Sequence, residues 1–341
     1  MHIQWSSSVL YTYGFVKEFR PVEPFLTPFL VTTSKNLTSE QLYSEVYPVW
    51  TYSYLVFLVL VLLLSDLLRH QPVIVCESVA YAATWLLLTW GHSVALMQLM
   101  EVMYGIATAT EIAYYAYAYT KYDLSCYKRI SSNCRGAVEA GKFCSYLLSQ
   151  LIISFRWGSY ILLNYISLAS MFCAFIVALL LPPIHKKDIQ NEEQQDAVET
   201  LSHWKCDAVA NYYKQMFFSC RKIYSNAFIL KWSLWWSLAT CGFFQIGNYI
   251  QLLWQSQLAE GQELYNGLTE TVSCFLGTVA VLCTQFINVA WDIYGDAILS
   301  VLSAVDCALL YVMSCSWTIA LTYVFYVVYR ILYKIMFTVA M

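Results

Sequence analysis

Charge is what this chain has least of. Asp, Glu, Lys and Arg make up 12% of its 341 residues, about half their share in an average soluble domain. A soluble fold of that length must solvate a large surface, and 19 basic and 22 acidic residues would cover it poorly. An ordinary cytosolic enzyme is therefore excluded. The net charge of −3 and isoelectric point near 6.0 argue against a nucleic-acid binder, which needs a basic surface. Histidine is also sparse, with five residues scattered at 2, 70, 92, 185 and 203. The twelve cysteines form no CxxC pair and no Cys/His set at zinc spacing. Most sit in apolar runs, where a thiol acts as a small hydrophobe. No metal, disulfide framework or cofactor is expected. The sequence also lacks a nucleophile–base set, a glycine-rich phosphate loop and a nucleotide motif. Neither an enzyme nor an ATP-driven pump is expected.

What is present is apolar and aromatic. Hydrophobic residues make up 59%, with 28 Tyr, 18 Phe and 12 Trp, and the mean hydropathy is +0.53. A membrane helix needs about 20 mostly apolar residues. Ten runs qualify: 7–32, 48–66, 72–90, 94–120, 132–155, 158–182, 227–254, 267–289, 295–315 and 317–340. The first is the weakest, because Lys17, Glu18, Arg20 and Glu23 interrupt it together with Pro21, Pro24 and Pro28. No cleavable signal peptide is expected, since no small-residue site follows an apolar core. Basic residues mark the cytosolic side. A cytosolic N-terminus puts Arg69, Lys121, Lys128, Arg129, Arg135 and the basic residues of 186–222 inside, and leaves little beyond Lys35 and Arg156 outside. Asn36 in Asn36-Leu37-Thr38 then falls in the first outer loop, as a glycosylation acceptor requires.

One long polar segment divides the runs. Residues 1–182 read as an N-terminal six-helix bundle, 183–226 as a cytosolic linker, and 227–341 as an incomplete C-terminal bundle of about four helices. Aromatics at 204–224 suit a surface helix within the linker. The expected fold is an all-α integral membrane protein of major facilitator type, with about ten transmembrane helices of an expected twelve.

A charge inside an apolar run costs free energy and is a functional candidate by default. Glu23 lies where three prolines free backbone groups, so it either lines a cavity or sits hydrated at the outer interface. Glu111, in GIATATEIAYYAYAY, falls on nearly one helical face with Tyr104 and Tyr115. Such a stripe either holds an organic cation by charge and cation–π contact or packs a tyrosine-rich core. Glu101, a turn outside Tyr104, is equally well interfacial. Glu270 is a pocket acid or a first-turn acid favoured by the helix dipole. Arg330 meets a substrate carboxylate or one of these acids. Lys334 shares its face or snorkels outward. Arg135, Glu139 and Lys142 are spaced as a ladder along one face. Asp66 and Arg69 bracket a helix end, as a gate-side charge pair or a solvated loop.

The chain resembles the reduced folate carrier family, which contains folate and thiamine transporters, and is most like the folate-like transporters. The matching strings include KEFRPVEPFLTPFL (17–30), NLTSE (36–40), YPVWTYSYLVF (47–57), SDLLRHQPV (65–73), GHSVALMQLMEVMYG (91–105), EIAYYAYAY (111–119), LNYISLAS (163–170), WSLWWSLATCGFFQIGNYIQLLW (232–254) and YNGLTE (265–270). The resemblance implies twelve helices in a major facilitator fold, with a central site reached by alternating access. Ten runs would then stop the chain short of helices eleven and twelve. The resemblance also implies substrate contacts at Glu23, Trp50, Trp85, Glu111, Tyr114, Asn248, Glu270 and Arg330. At the position of Glu111, mammalian-type folate carriers have Arg and thiamine transporters have Glu. Lys17, Glu18, Glu139 and Lys142 depart from the family by charging normally apolar stretches.

The expected function is secondary transport of thiamine or folate across the plasma membrane, with a counter-ion or proton as a possible companion. Three acids against Arg330 favour the cationic vitamin, by about 1–4 kcal/mol per pair at ~4 Å. The alternative is a truncated, non-transporting membrane protein that binds ligand or a partner.

Overall fold

The prolines near the N-terminus decide the first element. The computed structural model describes residues 2–31, 35, 37–68, 70–122, 124–183, 206–258, 263–284 and 291–340. Helix α1 (His2–Lys17) stops at the approach of Pro21, and irregular backbone follows through residue 22. A single 3-10 turn (Glu23–Phe25) leads into α2 (Leu26–Val31). The first apolar run is thus two helical pieces around a break, because proline withholds a backbone donor and clashes with the preceding turn. A capping box between Thr38 and Gln41 starts α3 (Ser39–Gln41). One π turn (Leu42–Val46) carries it into α4 (Tyr47–Leu68).

The remaining helices are α5 (Gln71–Trp90), α6 (Val94–Thr110), α7 (Ile112–Lys121), α8 (Leu124–Ser154), α9 (Tyr160–Leu179), α10 (Cys206–Tyr224), α11 (Ala227–Ser256), α12 (Asn266–Thr284), α13 (Trp291–Cys315) and α14 (Ile319–Ala340). No strand occurs among the described residues. Helix α10 lies within the polar segment, and its Tyr213 hydroxyl donates to the Leu63 carbonyl of α4 at 2.8 Å. Six helices among the described residues are long and apolar enough to cross a membrane. Of the rest, α8 is diluted by Arg135, Glu139 and Lys142, and α11 by Asn248 and Gln251.

Run 94–120 differs from the single span its hydropathy predicts. A turn at Glu111 divides it into α6 and α7. The hydroxyls of Thr108 and Thr110 donate to carbonyls three and four residues back, and such back-bonding bends helices. The bend ends the Tyr104–Glu111–Tyr115 stripe. Tyr115 turns edge-on to Tyr114, with ring centroids 5.0 Å apart.

Packing follows small residues, since lipid provides little hydrophobic drive between helices. A Cβ on Gly141 of α8 would stand 2.3 Å from the Phe15 carbonyl of α1. Only glycine lets these two backbones come so close. The first set of helices (α1–α9) holds two clusters. One gathers Phe25, Phe29, Tyr81, Trp85 and Met100, and the other Tyr13, Tyr114, Tyr117 and Cys134. In the second set (α11–α14), Ile250, Trp254, Met313 and Tyr326 form a third. Outside the membrane span, Lys35 donates to the carbonyls of Thr89 (2.9 Å) and Gly91 (2.5 Å), closing the end of α5. Desolvation pushes its ammonium pKa down.

Candidate functional site

The break after α1 faces a cavity of about 360 Å³ between the two helix sets. Glu18, Arg20 and Val22 line it from the irregular backbone, and Glu23 and Pro24 from the 3-10 turn. Irregular backbone at membrane depth is tolerated where it lines a cavity or is buried in protein. Trp50, Trp85, Glu111, Asn248, Glu270 and Arg330 line it as well. The lining therefore includes seven of the eight residues that the resemblance implies.

Tyr114 is the exception. It is fully buried, its hydroxyl donates to the Leu10 carbonyl at 3.1 Å, and it packs beneath Lys17. The bend at Glu111 aims it at α1, and it is not among the residues that line the cavity. Asp66 lies in the last turn of α4, and its side chain falls outside the described residues, as do Arg69 and Asn36.

Aromatic rings form one wall. Tyr104 sits among Trp50, Tyr81 and Trp85, with centroids 5.9, 6.1 and 6.3 Å from its own. Trp50 donates its indole N–H to Thr108 at 3.1 Å and meets Phe244 of α11 edge-on at 5.6 Å. The buried indole N–H of Trp85 has no acceptor among the described residues. Flat π faces suit a heterocycle or an organic cation.

The charges come with their own partners. Lys17, wholly buried, holds Glu77 at 2.9 Å and Glu111 at 3.1 Å. Arg20 donates to Glu18 at 2.5 Å, stands 3.8 Å from Glu23, and lies over the rings of Tyr81 and Trp85. Glu23 accepts from Tyr146 at 3.1 Å and more weakly from Tyr104 at 3.5 Å. Glu270 accepts from Tyr326 at 2.6 Å and Arg330 at 3.2 Å. Each of the three expected acids thus faces a cation, and a count of acids against Arg330 alone overstates the negative wall. What remains in excess is one carboxylate, because Glu77 and Glu111 share Lys17. Glu101 also lines the cavity; it is 5% exposed and has no hydrogen bond or ion pair to a described residue.

Along α8, Glu139 and Lys142 also meet charges on other segments. Glu139 binds Lys334 of α14 at 2.5 Å and accepts from the Cys274 thiol of α12 at 3.1 Å. Lys142 reaches toward Glu18 at 3.6 Å. A 3.6-residue period shows which residues share a face, but not which helix lies opposite. Glu77, Tyr146 and Gln251 are site residues that the reading of the sequence does not single out. Glu77 carried a usable signal, a carboxylate inside run 72–90.

Besides the Glu139 pairs, a group of hydrogen bonds joins the two sets near the α8–α9 connection. Gln251 donates to the Glu23 carbonyl at 3.1 Å and accepts from the Thr27 amide at 3.1 Å. Asn266 donates to the Pro24 carbonyl at 3.1 Å. Gln150 accepts from the Leu268 amide and donates to the Leu264 carbonyl.

The family model described as Reduced folate carrier matches residues 3–341. Folate-like transporter 3 of Caenorhabditis elegans is 41% identical, over 99% of this chain and 81% of its own length. Folate transporter 1 of the same organism is 38% identical, over 98% and 77%. Human thiamine transporter 1 is 36% identical, over 98% and 75%. Among solved structures, the nucleoside transporter NupG superposes with a TM-score of 0.65 at 16% identity, covering 100% of this chain and 80% of its own. The inward-open xylose transporter XylE from E. coli gives 0.64 at 10%, over 97% and 80%. These likenesses show the major facilitator fold.

Proposed function

The chain belongs to the reduced folate carrier family, and on that footing we propose that it is a multi-pass secondary transporter of a water-soluble vitamin, thiamine or folate. The observation that carries this reading is the aromatic, charged cavity between the two helix sets. Its volume falls within the usual range for small-molecule sites, ~300–1,000 Å³. The cycle proposed is alternating access, with residues 1–182 rocking against 227–341 across the linker 183–226. With the N-terminus cytosolic, the cross-set contacts at Gln150, Gln251 and Asn266 close the outer end, and the cavity faces inward. The carboxylate left in excess at Glu111 favours a cationic ring such as that of thiamine, and Arg330 with its neighbours keeps folate in view.

Uptake by cells expressing the chain tests this reading. Saturable accumulation of either vitamin above vector control is the expected result. Ligand binding without flux, at full surface expression, would instead favour a non-transporting binder. Plasma-membrane placement and orientation have their own check. A glycosidase-sensitive mobility shift is expected, and Asn36→Gln removes it. A shift that survives Asn36→Gln would contradict glycosylation at that site.

Glu111→Arg is expected to weaken thiamine binding by about tenfold or more, since it places a guanidinium beside Lys17 and removes the acid. Glu111→Gln, which keeps the shape, should show a smaller loss. Unchanged affinity for both vitamins in both variants would remove Glu111 from the site.

A further inference from the structure

Most cations around the cavity are already held. Lys17 lies between Glu77 and Glu111, Arg20 donates to Glu18, Arg330 to Glu270 and Lys334 to Glu139. Lys142 differs. It lines the cavity from α8, its side chain is 32% exposed, and it has no hydrogen bond to another described residue. The one carboxylate within ion-pair range, that of Glu18, stands at 3.6 Å, beyond hydrogen-bond distance. That carboxylate is itself buried and met by Arg20 at 2.5 Å. The Lys142 ammonium, with three donors, thus lines the cavity with one longer-range ion pair and no hydrogen bond to a described residue.

Snorkelling does not account for this placement. Tyr146, one turn further along α8, binds Glu23 in the cavity wall. Lys142 thus stands at the depth of the site and not at a membrane interface. A charge held at that depth has a default functional reading.

We propose that Lys142 anchors an anionic group, a carboxylate or a phosphate, on the transported molecule. This rests on the transport reading above and narrows its substrate class. On the same cavity surface, the Glu111 side chain is 34% exposed, and Trp50, Trp85 and Tyr104 offer ring faces. Two exposed charges of opposite sign fit a dipolar ligand. Its heterocyclic ring donates hydrogen bonds or carries positive charge, and its tail is anionic. A purely cationic ligand leaves the Lys142 donors unmet.

Ligand-induced shifts in the thermal midpoint of the purified full chain measure binding directly. The probes are folate, thiamine monophosphate and thiamine. The wild-type chain is expected to bind folate or thiamine monophosphate, and which of the two responds separates a carboxylate anchor from a phosphate anchor. Lys142→Met should weaken that ligand by about tenfold or more, as expected for loss of a charge-assisted hydrogen bond. Thiamine should move by less than about twofold, a difference near RT ln 2. Lys142→Arg should retain the anion-bearing ligand. Glu18→Gln combined with Lys142→Met separates binding from charge balance. If Lys142 merely balanced Glu18, the pair of changes would restore affinity; an anchor predicts that it stays weak. Equal loss for all three probes, recovery in the double variant, or a wild-type chain that binds neither anion-bearing probe overturns the proposal. Anion binding without uptake would leave the anchor standing and remove the transport reading. Thiamine uptake without anion binding would do the reverse.

Discussion

Lys17→Met is expected to destabilise the first helix set by about 3–5 kcal/mol, the usual effect of removing one partner from a buried ion pair. Lys17 is wholly buried, and so is Glu77 at 2.9 Å. Its ammonium also lies 4.7 Å from the ring centre of Tyr114. Removing the cation strands the buried Glu77 carboxylate, leaves the part-exposed Glu111 without its partner, and loosens α1 from α5 and from the α6–α7 bend. A large fall in the thermal midpoint of the purified chain should result. Glu77→Gln added to Lys17→Met removes the stranded charge and should recover most of that fall. A single variant with an unchanged midpoint would contradict the buried triad.

Arg330→Met is expected to lower uptake by about 100-fold or more, the scale for truncating one member of a desolvated charge pair. The guanidinium binds Glu270 at 3.2 Å and lies over the Phe243 and Tyr326 rings at 4.8 and 5.6 Å. It therefore joins α11, α12 and α14 at the cavity wall. Lysine cannot pair with the carboxylate and stack on both rings together, so Arg330→Lys should recover little. Arg330→Met with Glu270→Gln should restore surface expression without restoring uptake. Uptake by Arg330→Met within about twofold of wild type, at equal expression, would place this arginine outside the transport pathway.

The two substitutions show which parts of the site the sequence makes legible. Arg330 and Glu270 stand out as charges in apolar runs, and the cost of an intramembrane charge is enough to mark them. Pro21, Pro24 and Pro28 similarly foretell the break that brings Glu23 to the cavity. Most helices match the apolar runs because hydropathy depends on composition alone. Partners are another matter. Lys17 with Glu77 spans 60 positions, and Lys334 with Glu139 spans 195. Such pairs depend on how helices are arranged, which periodicity along one helix does not contain. The bend at Glu111 escapes hydropathy for a different reason. Threonine hydroxyls make it, and they hardly change the apolar average of the run. The bend in turn takes Tyr114 out of the cavity. Of the added charges, Lys17 and Glu139 link their helices to others, Glu18 is held by Arg20 in its own segment, and Lys142 stands 3.6 Å from Glu18.

Uptake by vesicles reconstituted with the purified chain tests the central claim most directly, with labelled thiamine and labelled folate measured side by side. Saturable uptake of at least one vitamin is predicted, inhibited by the other because both enter one cavity, and lost in Arg330→Met. Uptake no greater than in empty vesicles, from a folded and correctly inserted chain, would contradict it.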